Sequence, residues 1–253
     1  MLDRVFSRDA RVLLQRGLDL LFPPRCAGCR RGGFLLCPAC WQTMQPLMLP
    51  LCEHCGALLS EPAEGCSSCR YKRLQLHGLR HVSLYQGPLR KTIHAFKYDG
   101  QLRLAEPLGL LLAEAFRLYG LKADGVLPLP LHPQRLRQRG YNQAALLARV
   151  CATHLKIPYL EDLVIRQRLT CPQVGLAFSE RQHNVAGAFT LTSSAHTSLR
   201  GYHTLLLIDD VSTTGATLEA CAAPLYAAGI QQVWGLVLGK PANLMQDGSK
   251  GML

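Results

Sequence analysis

Four C-x-x-C pairs crowd into 44 residues of this chain: Cys26/Cys29, Cys37/Cys40, Cys52/Cys55 and Cys66/Cys69. Each pair sets two sulfurs on one tight turn, where both can reach one ion. Zinc takes four such ligands in a tetrahedron, so eight thiols make two sites. The spacers inside successive pairs are 7 residues (30–36) and 10 residues (56–65). Sequential pairing closes the shortest loops and is favoured on that ground over interleaved pairing. It joins Cys26, Cys29, Cys37 and Cys40 in one site, and Cys52, Cys55, Cys66 and Cys69 in the other. His54 is then a bystander. A single C-x-x-C would leave redox chemistry open; four in so short a stretch argue for metal. Full thiolate coordination leaves no open position, so both zinc ions are expected to be structural. A segment this small has no core of its own, and metal would supply its folding free energy.

The metal changes the charge balance. The chain carries a formal +11, which suits an anionic partner. Residues 1–75 hold ten basic and six acidic side chains, a surplus of +4. Eight thiolates and two zinc ions bring that module to zero. The remaining surplus, +7, belongs to residues 76–253, and +6 of it falls in 126–200. A nucleic-acid-binding role for the zinc module therefore gains nothing from net charge.

Residues 9–22 read as a short amphipathic packing helix ended by Pro23-Pro24. Asp3, Asp9 and Asp19 interrupt the amino terminus, which does not read as a signal peptide. The sequence holds no apolar run of the ~18–20 residues that a membrane span needs. The expected location is cytoplasmic.

From about Leu79 the pattern alternates between strand and helix. Strands are expected at 79–86, 125–131, 204–210 and 232–238. Helices are expected at 88–100, 105–120, 142–155 and 215–229, with Gly120 as a stop and Asn142 as an N-cap. The prolines of 125–131 mark a strand end. Such alternation implies an α/β domain, a mostly parallel sheet with helices on both faces.

The stretch "LLLIDDVSTTGATLEA" (205–220) carries the chemistry. In open parallel sheets, ligands sit at the carboxyl ends of strands. Asp209 and Asp210 end a strongly apolar strand there. Val211 to Thr217 form a loop at a helix N-terminus, where N–H groups and the helix dipole favour phosphate. Two carboxylates beside a phosphate cradle repel the ligand unless they hold another part of it. Vicinal hydroxyl groups, directly or through Mg²⁺, fit that part. A sugar bearing a 5′-phosphate matches both halves.

"LLLIDDVSTTGAT" resembles the phosphoribosyl-pyrophosphate loop of type I phosphoribosyltransferases. Three further stretches resemble one branch of that superfamily, the ComF/GntX competence and DNA-utilisation proteins: "FKYDGQLRLAEPLG", "LPLPLHPQRLRQRGYNQAALLA" and "RQRLTCPQVGLAFSERQHNVAGAF". The resemblance implies a type I phosphoribosyltransferase-like sheet behind a small double zinc ribbon. It implies that Asp209 and Asp210 hold ribose hydroxyls, and that Ser212, Thr213, Thr214, Gly215, Ala216 and Thr217 wrap the 5′-phosphate. The loop after strand 126–130, with Arg135, Arg137 and Arg139, takes the place of the pyrophosphate loop. The 166–189 stretch takes that of the mobile loop, with Arg166, Arg168 and Arg181 as its cations. The ligand would be phosphoribosyl pyrophosphate with Mg²⁺.

Thr213 stands where family members acting on 6-oxopurines carry an acid, which argues against a hypoxanthine or guanine acceptor. Pro224, inside the last long helix, is expected to kink it. Two readings stay open: an enzyme transferring between phosphoribosyl pyrophosphate and an unidentified acceptor, or a non-catalytic protein that senses such a ligand or holds single-stranded DNA. Tyr141 and Phe178 are available as aromatic platforms in the second. The link to DNA use, and to DNA-uptake or processing proteins as partners, comes from the resemblance. The expected organisation is an N-terminal helix (1–24), a double zinc ribbon (25–75), the phosphoribosyltransferase-like domain (76–240) and a loose tail (241–253).

Overall fold

The computed structural model describes residues 19, 22–48, 50–62, 65–71, 74–168 and 185–241. Most of the expected N-terminal helix, the tail beyond 241 and most of the expected mobile loop, Arg181 and Phe178 included, lie outside the described residues.

A four-stranded, all-parallel sheet forms the centre of the α/β part. Its order is β1 (Gly78–Leu84), β6 (Gln232–Lys240), β5 (Thr204–Val211) and β2 (Gly125–Pro128). The two inner strands, β5 and β6, are buried on both faces, hence their near-continuous runs of Leu, Ile and Val. The short edge strand β2 stops at Pro128, as its prolines foretell. Its free edge is covered by 158–160: the Val126 N–H donates to the Pro158 carbonyl (2.9 Å), and the Leu160 N–H donates to the Val126 carbonyl (2.9 Å).

Alternation along β5 divides the core in two. Leu206 and Ile208 share one apolar cluster with Leu236, Leu238 and the helices α3 (Gly87–Tyr98), α4 (Ala105–Leu118) and α6 (Gln143–Leu155). Leu205 and Leu207 join the other, with Val233, Val237 and α8 (Ala216–Ala227). On α4, Gly109 lets α6 approach closely, since a Cβ there would lie 2.5 Å from the Val150 Cβ. Gly120 (φ +61°) follows the end of α4, and the Asn142 side chain caps α6 by accepting from the Ala144 N–H at 3.0 Å. Pro224 sits near the end of α8, and the helix continues past it to Ala227. A small antiparallel pair, β3 (Val164–Arg166) with β4 (Phe189–Leu191), stands beside this sheet, and the short α7 (Ala195–Ser198) follows it.

The cysteine-rich segment carries the short helices α1 (Pro38–Gln42) and α2 (Ser67–Tyr71). It is not a separate bead. Cys26, Cys37, Cys40 and Met44 belong to the same buried cluster as Val82, Phe96 and Leu108. The Leu47 N–H donates to the Val82 carbonyl (2.8 Å), and the Leu79 N–H donates to the His54 carbonyl (2.9 Å). The Tyr119 hydroxyl on the α/β side lies within hydrogen-bond distance of both the Leu47 (3.1 Å) and His81 (2.9 Å) carbonyls.

Candidate functional site

Both cysteine quartets assemble in the sequential pairing. Cys26, Cys29, Cys37 and Cys40 bring their sulfurs within 4.8 Å of one another, and so do Cys52, Cys55, Cys66 and Cys69. The Cys29–Cys37 and Cys55–Cys66 sulfurs are 3.5 and 3.6 Å apart. A Zn–S bond of about 2.3 Å gives a tetrahedral edge of about 3.8 Å, so the cages fit zinc. Backbone N–H groups also aim at sulfur, Cys37 N to Cys26 Sγ at 3.3 Å and Cys66 N to Cys52 Sγ at 3.4 Å. These are two structural zinc sites.

The second site lies at the carboxyl end of β5. By alternation, Asp210 follows Leu206 and Ile208 towards α3, and Asp209 follows Leu205 and Leu207 towards α8. Asp210 finds a cation directly. The Lys97 Nζ of α3 stands 2.7 Å from Asp210 Oδ1, with little of either side chain exposed. Burial works to lower the Lys97 pKa, but the charge and hydrogen bond of Asp210 outweigh it and raise the value. Asp210 Oδ2 is buried and has no hydrogen-bond partner among the described residues. Asp209 Oδ1 accepts from the Asp210 N–H (2.8 Å). Burial first, and the Asp210 charge second, push Asp209 up to about 7.

Arg166, the last residue of β3, is 8% exposed and stacks over Phe189, its guanidinium carbon 5.3 Å from the ring centre. Burial lowers its pKa, the charge of Arg135 adds to that, and the charge of Asp209 opposes it. Arg135, Arg166 and Asp209 therefore share one electrostatic neighbourhood. A cavity of about 440 Å³ adjoins it, walled mainly by apolar side chains such as Leu131, Leu160 and Ile165, with Arg166 at its edge.

The Ser212–Gly215 turn is built by its own side chains. Ser212 Oγ accepts from the Gly215 N–H (3.1 Å), and Thr214 Oγ1 from the Ala216 N–H (3.4 Å). Gly215 adopts φ +83°, and a Cβ there would lie 2.8 Å from Leu74 Cδ1. Only glycine fits both demands. The loop thus shapes a cup at the N-terminus of α8, with Ser212 serving the turn and Thr213, Thr214 and Thr217 partly exposed.

The expected arginine loop is a helix, α5 (Pro133–Arg139). Its signals were in the sequence: the His132 side chain caps it, Pro133 opens it and Gly140 (φ +83°) ends it. Spacing on a helix puts Arg135 and Arg139 on one face and turns Arg137 away, exposed. Arg139 donates to Gln143 Oε1 and lies 5.3 Å over the Tyr98 ring. Arg168 donates to the Ala186 carbonyl (2.7 Å). Tyr141, offered as a platform, is committed to the Phe96 carbonyl through its hydroxyl. Lys97 had no role assigned from sequence. The signal was its place on the Leu89–Ile93–Lys97 stripe, where i, i+4 neighbours are buried and a lone cation needs an acid.

Residues 17–70 match the family model described as "Double zinc ribbon domain". The chain is 34% identical over 223 residues to "Competence protein F" of Haemophilus influenzae, covering 84% of this chain and 96% of that protein. It is 31% identical over 206 residues to "DNA utilization protein YhgH" of Salmonella typhimurium, covering 79% and 88%. Among solved structures, adenine phosphoribosyl transferase from Trypanosoma brucei aligns over 69% of this chain and 88% of its own, with 12% identity and a TM-score of 0.39. Among the described residues, no helix is long and apolar enough to cross a membrane.

Proposed function

The chain belongs to the family of Competence protein F and DNA utilization protein YhgH, and from that premise we propose that it binds phosphoribosyl pyrophosphate with Mg²⁺ and acts in the uptake or use of DNA. The observation that carries the ligand is the carboxyl end of β5. There a buried carboxylate oxygen, Asp210 Oδ2, is left without a partner among the described residues, beside a glycine-dependent cup at a helix N-terminus. An unmet acceptor at that depth costs about 1–3 kcal/mol, which a hydroxyl donor or a hard cation would recover.

In this reading Asp209 and Asp210 hold the ribose hydroxyls, and the Thr213–Thr217 cup takes the 5′-phosphate. Arg135 and Arg166 face the pyrophosphate, and Lys97 holds Asp210 in place. Mg²⁺, bound by the ligand and these carboxylates, would supply charge neutralisation for the pyrophosphate. Oxygen donors suit such an ion. If transfer occurs, the C1–O bond of the ribose breaks and the pyrophosphate leaves with the electron pair. The acceptor's lone pair then forms the new bond to C1. We assign the acceptor to the apolar cavity beside Arg166.

Melting temperature measured with phosphoribosyl pyrophosphate and Mg²⁺ tests the ligand. A ligand that binds only the folded state raises it by mass action. Asp209→Asn with Asp210→Asn should abolish that rise; an equal rise in the double variant would defeat the assignment. Pyrophosphate release in the presence of candidate acceptors separates turnover from sensing.

A second reading, single-stranded DNA binding, is favoured by the +6 surplus of 126–200, about twice the chain average per residue. Basic grooves with exposed aromatic rings are the usual means of holding single strands.

A further inference from the structure

Among the described residues, one exposed aromatic ring at this edge of the molecule had no role assigned from sequence. Tyr98, the last residue of α3, has 65% of its surface in solvent. It follows Lys97, the partner of Asp210, along the chain, and its ring lies beside Arg139 of α5. One flank of it carries the Arg139 guanidinium, itself pinned by Gln143 at 2.5 Å. The other neighbour is His94, whose ring centre is 4.9 Å away. His94 lies four residues earlier on the same helix face, and Arg90 and Lys91 lie four and three residues before that. All three are exposed. Residues spaced three and four apart form one stripe on a helix.

We propose that this stripe, Arg90, Lys91, His94 and Tyr98, continued by Arg139 of α5, is a track for single-stranded DNA that leads to the Asp210 site. The proposal rests on the DNA reading given above and places the contact on α3, outside the 126–200 stretch that charge counting singles out. From Arg90 to Tyr98 the helix rises roughly 12 Å, about three phosphates even at duplex spacing. Arg90 and Lys91 meet phosphates at one end. Tyr98, backed by Arg139, offers a planar surface at the other. A ring whose partner is a guanidinium is held in place without being buried, since cation–π contact fixes it while leaving area for a second planar group. Such a group must be unpaired to stack, which selects single strands over duplex. One acid stands in the 87–101 stretch, Asp99, 4.0 Å from His94, and it remains half-exposed to solvent.

The test is a titration of the full, zinc-loaded chain with a labelled oligothymidine at several salt concentrations. Tyr98→Ala should weaken binding roughly 5- to 150-fold, the factor for one stacked base, with the salt slope kept. Tyr98→Trp should retain affinity. Arg90→Ala with Lys91→Ala should lower the salt slope by about 1.4, from about 0.7 per phosphate on single strands. Lys122→Ala with Lys156→Ala, at the opposite, amino edge of the sheet, should change neither. A wild-type chain that binds with a steep salt slope, and Tyr98→Ala and Arg90→Ala/Lys91→Ala variants that bind equally well, would overturn the track and leave the DNA reading standing. A wild-type chain that does not bind the oligonucleotide overturns the DNA reading and the track together. The phosphoribosyl pyrophosphate site is judged separately, by its melting shift.

Discussion

The Lys97 ammonium lies 2.7 Å from Asp210 Oδ1, so a helix that follows the first strand supplies the counter-charge for the acid that ends the fifth. Both side chains are largely buried, and each is costly without the other. Lys97→Met is expected to destabilise the protein by about 3–5 kcal/mol at pH 8. Asp210→Asn in the same chain should recover much of that loss. Urea unfolding of the two single variants and the double one measures the coupling. Additive losses would mean that the ion pair contributes nothing of its own.

Asp209 gives a pH dependence of opposite sign to the usual carboxylate. Its pKa in the fold is pushed up to about 7, above the ~3.9 of an unfolded chain, by burial and then by Asp210. The native state therefore keeps a proton that the unfolded state gives up. Stability from this group is full below about pH 4 and is lost as the pH rises through about 7. Asp209→Asn cannot titrate. The melting temperature of the wild type minus that of Asp209→Asn should fall between pH 5 and pH 7 and level off towards pH 8. A flat difference would show that Asp209 is ionised throughout.

Zinc removal should reach beyond the ribbons. Taken alone, the cysteine module looks separable, and its loss would leave the α/β domain folded. In the structure, Cys26, Cys37, Cys40 and Met44 share a core with Val82 and Phe96. Purified, reduced protein should carry close to two zinc ions. A strong chelator should lower the melting temperature of the whole chain as one transition, measured by circular dichroism of its helices. An α/β transition unmoved by chelation would contradict the shared core.

Gly56 marks a close approach of the second ribbon to β1. It sits at φ +64°, and a Cβ there would lie 2.5 Å from the Leu79 carbonyl oxygen and 3.0 Å from His81 Nδ1. Gly56→Ala should cost about 1–3 kcal/mol and speed zinc release to a colorimetric chelator, since the second ribbon is pushed off β1. Gly33→Ala is the control: it has the same sign of φ (+85°) and open space around it, so it should cost less and leave zinc release unchanged.

Gly215→Ala tests the cup. The positive φ and the 2.8 Å approach to Leu74 both forbid a side chain. The melting shift with phosphoribosyl pyrophosphate should vanish. Leu74→Ala added to Gly215→Ala should recover part of the stability, because it removes the clash, but not the shift, because φ stays strained.

Much of this protein is legible in local chemistry. Zinc ligation depends on short spacings, so the eight cysteines name themselves. The sequential pairing is preferred by loop length and then found in the sulfur positions. Strands and helices of the α/β part follow from apolar periodicity, and the Asp209–Asp210 pair is conspicuous because it ends so apolar a strand. Even the α5 helix was signalled by Pro133 and Gly140, although its arginines read as a loop.

Other features depend on which segments meet, and no spacing encodes that. Lys97 and Asp210 are more than a hundred positions apart, and only the stacking of α3 under the β1-β6-β5-β2 sheet brings them to one point. The sequence determined two thiolate cages, a parallel sheet and a carboxylate-and-glycine loop, because each arises from neighbours along the chain. Tertiary structure alone decided that the first ribbon shares the domain's core, that Asp210 meets a lysine from α3, and that Tyr98 is more exposed than Tyr141. Those are outcomes of burial and long-range packing, where the energy of a side chain is set by residues far away in sequence.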